Sequence, residues 1–232
     1  MITYIQGGLG NQLFQYAAGL AVSKRLQEPL YINNSFYERN KNRQYELGVF
    51  PISATVTNEQ GKLIEEKGFR HQDITESGMM VGYWQSEKYF EDISDQIKQE
   101  LALPKTDLPD DMVAVTVRRG DYLLLREVFH NLGDEYYRDA LEIFPGHTTV
   151  VFSDDPEWCA ANLEWADYIM PCNTAIQDLS LLSSFKNHII ANSSFGWWGA
   201  WLANGNTVVS PRNWFTNGLD TTDLIPDRWI RI

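Results

Sequence analysis

Beyond residue 111 the chain alternates apolar runs with helical ones so regularly that a parallel sheet covered on both faces is the architecture that accommodates it. The runs MVAVTV, HTTVVF, NHIIA and NTVVS read as strands, because they stay apolar on both sides instead of alternating. The stretches GDEYYRDALEIF, PEWCAANL, AIQDLSLLSSF and FGWWGAWLA read as the helices among them. The N-terminal part begins the same way. ITYIQ is a short β-rich run, and after a glycine turn Leu13, Phe14, Ala17, Leu20, Ala21 and Leu26 recur at helical spacing before PLYIN returns to a strand pattern. That is the start of a βαβ unit. Further on, NEQGKLIEEK reads as a short helix, MMVGYWQ as a buried strand, and SEKYFEDISDQIKQELAL as a helix capped by Ser86. PKTDLPDD, residues 104–111, is the best linker. The expectation is an α/β fold of two Rossmann-like domains, 1–107 and 108–232, with one compact α/β domain as the alternative.

Charge removes whole classes of partner. With 31 acidic against 19 basic residues the formal net charge is -12, which repels nucleic acid and does not favour association with anionic membranes. A phosphate-bearing ligand therefore needs a local cluster of arginines. Cys159 and Cys172 are the two cysteines, too few for a disulfide framework or a structural zinc site, and two free thiols suit a reducing compartment. MITYIQGG lacks the basic and apolar regions of a signal peptide, and no apolar run approaches the roughly 20 residues that span a bilayer. The expected location is the cytoplasm. His71, His130, His147 and His188 show no metal-ligand spacing and read as structural or surface residues.

In an open parallel sheet ligands bind at the carboxyl ends of the strands, and four polar stretches stand there. The first, GGLGNQ (Gly7 to Gln12), places glycines before a helix, where backbone N–H groups can hold phosphate or approach a sugar, or the turn is structural. Leu13 stands where the dinucleotide fingerprint has its third glycine. The second, VRRGDY, ends an apolar strand in Arg118 and Arg119 and follows with Asp121. A guanidinium grips a diphosphate bidentately; alternatively the arginines and Asp121 close the strand as an ion pair. The Arg-Gly-Asp tripeptide lies against a buried strand, which does not suit adhesion. The third, FSDDPEW, offers Asp154 and Asp155 before Pro156. Either carboxylate can cap a helix, hold a nucleoside, or share a divalent cation in a metal-dependent transferase. The fourth, NHIIANSSFGWWGAWLA, delivers Asn192, Ser193 and Ser194 to a helix start as caps or as a phosphate or ribose cradle. Trp197, Trp198 and Trp201 fit a helix core better than a sugar-stacking surface.

Taken together, GGLGNQLFQYA, GYWQSEKYF, VRRGDY, FSDDPEW and NHIIANSSFGWWGAWL occur in the order of the signature stretches of the α-1,2-fucosyltransferases, glycosyltransferase family 11, which this chain resembles. The similarity runs from residue 6 to beyond 200 and includes LIPDRWI near the end. The resemblance implies a GT-B fold, two facing Rossmann-like domains, the N-terminal on the acceptor side and the C-terminal binding the donor GDP-fucose. It implies inverting transfer of L-fucose to the 2-hydroxyl of a galactose-containing glycan, with no cofactor or metal ion. Carried over residue by residue, Gly8, Gly10, Asn11 and Gln12 shape the donor cleft, and Arg118 clamps the diphosphate. Asp154, Asn192, Ser193 and Ser194 hold guanosine and phosphate, while Asp121 orients the clamp or takes the acceptor's proton. The family pattern H-x-R-R-G-D has Thr116 in place of its histidine here, which removes a hydrogen-bond donor. Two other readings stand beside this one: a metal-dependent sugar-nucleotide transferase using Asp154 and Asp155, and a carbohydrate-binding protein without catalysis.

Overall fold

Every strand pairing in the computed structural model, which describes residues 1–216 and 218–232, is parallel within its sheet. The chain divides into two compact units, Met1–Ala102 with Asp220–Pro226, and Leu103–Leu219 with Asp227–Ile232. Residues 220–226, expected with the second domain, belong to the first. There the buried Asp223 carboxylate accepts the His71 N–H at 2.9 Å and the Lys88 Nζ at 2.7 Å. With two parallel α/β units, the fold is of the GT-B class. Among the described residues no helix is long and apolar enough to cross a membrane.

The first unit holds β1 (Ile2–Tyr4), α1 (Leu9–Arg25), β2 (Tyr31–Asn33), α2 (Phe36–Arg39), β3 (Thr55–Val56), β4 (Leu63–Glu65), β5 (Met79–Val81) and α3 (Ser94–Glu100). Its five strands run in the order β3-β2-β1-β5-β4. Helix α1 is buried nearly all round, so its polar side chains must find partners inside. Gln12 Nε2 donates to the Gln44 carbonyl at 2.8 Å while its Oε1 accepts the Glu46 N–H at 2.8 Å, and Tyr16 donates to Glu100. Gly7 sits at φ +81°, a conformation that favours glycine, and an added Cβ there would lie 2.7 Å from Asn11 Nδ2.

The segment expected as a helix at NEQGKLIEEK contains instead the edge strand β4, whose Leu63 and Ile64 pair with Met79 and Met80 of β5. Three residues of strand among glutamates and lysines leave no periodic signal, and an edge position tolerates that polarity. The long helix expected after Ser86 starts as two short 3₁₀ turns before α3. Ser86 does cap the first of them, accepting the Lys88 N–H at 3.3 Å.

The second unit holds β6 (Met112–Val117), α4 (Asp134–Leu141), β7 (Thr148–Ser153), α5 (Pro156–Asn162), β8 (Tyr168–Ile169), α6 (Ala175–Leu182), β9 (Asn187–Ile189), α7 (Ser194–Ala203), β10 (Thr207–Ser210) and β11 (Ile230–Arg231). Its order, β11-β10-β9-β6-β7-β8, is that of the Rossmann dinucleotide-binding sheet, with the switch point between β6 and β9. Val113, Val115 and Val117 of β6 pack with Tyr137, Phe144 and Val151 on one face, and Ala114 with Phe152, Leu182 and Phe185 on the other. Trp197, Trp198 and Trp201 are buried in this unit's core.

His188 of β9 is fully buried, and its Nε2–H donates to the Phe185 carbonyl at 3.1 Å. Burial pushes its imidazole down to about 4 from an ordinary 6.5. The unfolded chain thus takes up the proton first, so the stability of the neutral ring is present above about pH 6.5 and lost as pH falls toward about 4. Each tenfold difference in proton affinity is worth about 1.4 kcal/mol. The urea midpoint of the wild type should therefore fall further between about pH 7 and pH 5 than that of His188→Gln. Equal falls in the two proteins would remove His188 as the cause.

Candidate active site

At the switch point of the second unit, strand β6 releases the chain into Arg118 and Arg119, and the alternation of a strand sends the two side chains different ways. Arg118 Nη1 meets Asp154 Oδ2 at 2.8 Å and Nη2 meets Asp121 Oδ1 at 2.5 Å. Its guanidinium carbon stands 5.1 Å from the centre of the Tyr122 ring. Its Nε is buried with no hydrogen-bond partner among the described residues. Arg119 goes to the other partner set: Nε meets Asp155 Oδ2 at 3.0 Å, and the guanidinium lies 3.4 Å over the Trp158 ring.

Asp154 ties the two arginines together. Its Oδ1 accepts the Arg119 backbone N–H at 2.9 Å while Oδ2 takes Arg118. Such close approach needs a glycine next door, because a Cβ on Gly120 would sit 2.4 Å from Asp154 Oδ2. Asp155 has a structural post: its Oδ1 accepts the Trp158 N–H at 3.2 Å and so caps α5, with Pro156 in the first turn. Both carboxylates that a metal-dependent transferase would use are thus engaged by arginines, and Asp155 also by a helix N-terminus.

On the neighbouring strand end, Ser193 caps α7 by accepting the Phe195 N–H at 3.4 Å, and Ser194 opens the helix. The remaining first-turn N–H groups have no intrahelical partner and favour negative charge. Asn192 is buried, and both N–H groups of its amide are engaged, with the His130 carbonyl at 2.8 Å and the Trp214 carbonyl at 2.7 Å. Its own carbonyl accepts the Tyr122 hydroxyl at 3.1 Å. Asn192 therefore joins three loops, and the stacked pair Tyr122 and Phe129, 3.9 Å apart, lies among them.

The structure brings Arg118, Asp121 and Asp154 into direct contact and sets Asn192, Ser193 and Ser194 on the adjacent strand end. Gly8, Gly10, Asn11 and Gln12 lie in the other unit. There Gly8 is the N-cap of α1, Gly10 is buried inside the helix, Gln12 is clamped as described, and Asn11 accepts the Gln85 Nε2 at 2.8 Å. Tyr122 and Trp158, the rings beneath the two guanidiniums, escaped the sequence reading. Their signal is positional: Tyr122 stands four residues beyond Arg118, and Trp158 three residues beyond Asp155, the carboxylate that pairs with Arg119.

Thr116, at the family's histidine position, turns into the protein. It is buried, and its Oγ1 accepts the Ala191 N–H at 2.9 Å, pinning the end of β9 to β6. Thr116→Val keeps the shape and strands that N–H, so chemical denaturation should show a loss of about 1–3 kcal/mol. Unchanged stability would mean that the bond carries no weight.

The chain belongs to glycosyltransferase family 11, whose family model matches residues 69–231. Among its relatives, the alpha-1,2-colitosyltransferase of Escherichia coli is 32% identical across the whole of this chain and 98% of its own. Rabbit (Oryctolagus cuniculus) galactoside alpha-(1,2)-fucosyltransferase 2 is 25% identical across 87% of this chain and 66% of its own. Among solved structures, the dodecameric glycosyltransferase TibC of enterotoxigenic Escherichia coli covers 99% of this chain and 61% of its own with a TM-score of 0.56 at 12% identity, a likeness of fold.

Proposed function

We propose that this chain is an inverting α-1,2-fucosyltransferase that moves L-fucose from GDP-fucose to the 2-hydroxyl of a galactose-containing glycan and needs no metal ion. The observation that carries the proposal is Arg118: a guanidinium at the switch point of a Rossmann sheet, beside the N-terminus of α7, in a chain of net charge -12. An acidic protein that binds a diphosphate needs a cation presented to it, and displacement of the exposed Asp121 frees Arg118 Nη2 for that contact. The α-1,2 linkage in the names of both relatives supports the same reading. Fucose is 6-deoxy-L-galactose and colitose is the same sugar without its 3-hydroxyl, so one donor pocket shape serves either.

In the reaction the acceptor's 2-oxygen bonds to C1 of the fucosyl group as the bond from C1 to the β-phosphate oxygen breaks. The electron pair leaves with GDP, and the acceptor's proton passes to solvent or a base. Negative charge grows on the diphosphate, and a fixed guanidinium with a helix N-terminus stabilises it without reorganising. Asp121 is the partner that gives way. Its side chain is 45% exposed against 26% for Asp154, and exposed ion pairs contribute little. A diphosphate oxygen takes over Nη2 from Asp121, while Asp154 keeps Arg118 aimed. In this reading Asp121 holds the clamp in place until the donor arrives, and Asp154 orients it on the diphosphate.

Turnover of GDP-fucose with a β-galactoside should continue in EDTA, and GDP-colitose tested alongside identifies the preferred donor. Loss of activity in EDTA and its return with manganese would transfer the reading to the two aspartates. Arg118→Lys keeps the charge and loses the planar fork, so GDP affinity and turnover should fall by about tenfold to a hundredfold, the equivalent of about 1.5–3 kcal/mol. Wild-type values in that variant would take Arg118 out of the site.

A further inference from the structure

Beside the carboxyl ends of β10 and β11 the second unit carries a cavity of about 200 Å³, lined by none of the residues that form the Arg118 edge. One wall is α4 with the loop before it, and the other is the segment 211–213 after β10. β10 stands two strands from β6 in the sheet, roughly 10 Å at the usual strand spacing. Both walls are fixed. The His130 N–H donates to the Trp214 carbonyl at 3.4 Å, and the buried Asn192 amide donates to the carbonyls of both residues, so one side chain clips wall to wall. The Tyr136 hydroxyl donates to the Ile190 carbonyl at 2.7 Å, and the Arg212 N–H to the Ile232 carbonyl at 2.7 Å. The cavity is therefore preformed, and a ligand entering it has little chain to order.

Its floor is apolar: Leu132, Tyr136 and Ile232 pack against the core of this face of the sheet. Its rim is polar and uncommitted. Glu135 and Asp139, one turn apart on α4, and Arg212 and Asn213 opposite them are all exposed, and none of these side chains has a hydrogen bond or ion pair among the described residues. On the same helix Arg138 folds onto Asp134. Arg212, by contrast, shares one cavity with two carboxylates and pairs with neither, so the charges face each other across a gap wider than the roughly 4 Å of an ion pair. Like charges at i and i+4 also weaken a helix, and no cation of the protein relieves Glu135 and Asp139.

Charges of both signs over an apolar floor select the ligand. A phosphate would meet two carboxylates for one guanidinium, in a chain of net charge -12. A metal ion finds no group of three ligating side chains among the described residues. A nucleotide is too large, since the volume falls below the about 300–1,000 Å³ of sites for drug-sized molecules. A hydroxyl both donates and accepts, so carboxylate, guanidinium and amide can all engage it. We propose that this cavity is a saccharide site, separate from the Arg118 edge, that holds one uncharged sugar ring: Glu135 and Asp139 accept from its hydroxyls, Arg212 and Asn213 donate to them, and Tyr136 and Leu132 carry its C–H face. Asn192 is then a positioning residue for this site, through the two walls it joins. The proposal stands on the cavity and is independent of the transferase reading.

The test follows hydrogen exchange of the full chain, with and without GDP, against five probes: the methyl glycosides of β-galactose, α-glucose and N-acetyl-β-glucosamine, then glucuronate and inorganic phosphate. At least one neutral glycoside should slow exchange in both 130–139 and 211–214, and the two anions should not. Arg212→Ala and Asp139→Asn alter side chains that have no partner within the protein, so both variants should melt as the wild type does. In each, the glycoside concentration for half protection should rise about tenfold or more while GDP affinity stays within about twofold. Absence of protection by all three glycosides overturns the proposal, as does protection confined to the first unit. Protection that survives unchanged in both variants, or that glucuronate or phosphate matches, overturns it too. No turnover is read, so each outcome counts whether or not the chain transfers fucose.

Discussion

The carboxyl edge of the second unit's sheet, where β6 ends, depends on one carboxylate. Asp154 receives a backbone N–H from Arg119 with one oxygen and the Arg118 guanidinium with the other, so a single side chain fixes both where β6 ends and where its first arginine points. Remove it and, among the described residues, Arg118 keeps only the exposed Asp121 as an ion-pair partner, a pair too weak to hold a long flexible side chain in one geometry. The features around it follow from that demand. Position 120 must be glycine, Arg119 must turn away toward Asp155 and Trp158, and Tyr122 must come round to lie beneath Arg118 and reach the Asn192 carbonyl. Acidic residues near the proposed phosphate site look contradictory in a chain of net charge -12. Here they aim the cation, and the most exposed of them is also the easiest to displace.

Much of this was legible in the residues, and the division follows from physics. β6, β7, β9 and β10 lie inside a sheet covered on both faces, so their apolar runs are continuous and visible. β3, β8 and β11 have two residues each and leave no period to detect. The edge strand β4 is polar enough to resemble a helix, and its pairing with β5 is a long-range fact. Local chemistry was readable: Asp155 before Pro156 is a cap, Ser193 is a cap, and the three tryptophans at helical spacing are core. What strand alternation could not assign was which arginine meets which aspartate, because Asp154 and Asp155 approach from a different strand.

Some residues that motif reading placed at the ligand turn out to hold the frame. Gln12 and Asn192 each have their amides engaged by backbone groups, and Thr116 bonds the end of β9. Buried amides and hydroxyls require partners, and in both units they use the chain ends that a ligand would approach. The signature stretches thus carry two kinds of residue, those that shape a strand end and those the strand end presents. Glu66 shows the limit of motif reading most sharply, since it lies outside every signature stretch, in the segment expected as a helix, and yet its carboxylate accepts the Tyr83 and Trp84 N–H groups of one of them, GYWQ.

The central claim, that Arg118 binds the outer phosphate of the donor, is tested most directly by comparing GDP with GMP by calorimetry in the wild type and in Arg118→Gln. The two nucleotides differ only in the β-phosphate, so the cycle isolates its coupling to the guanidinium. The account predicts that the wild type prefers GDP by about tenfold or more and that this preference collapses in the variant while GMP affinity changes little. A GDP preference that survives the loss of Arg118 would contradict it.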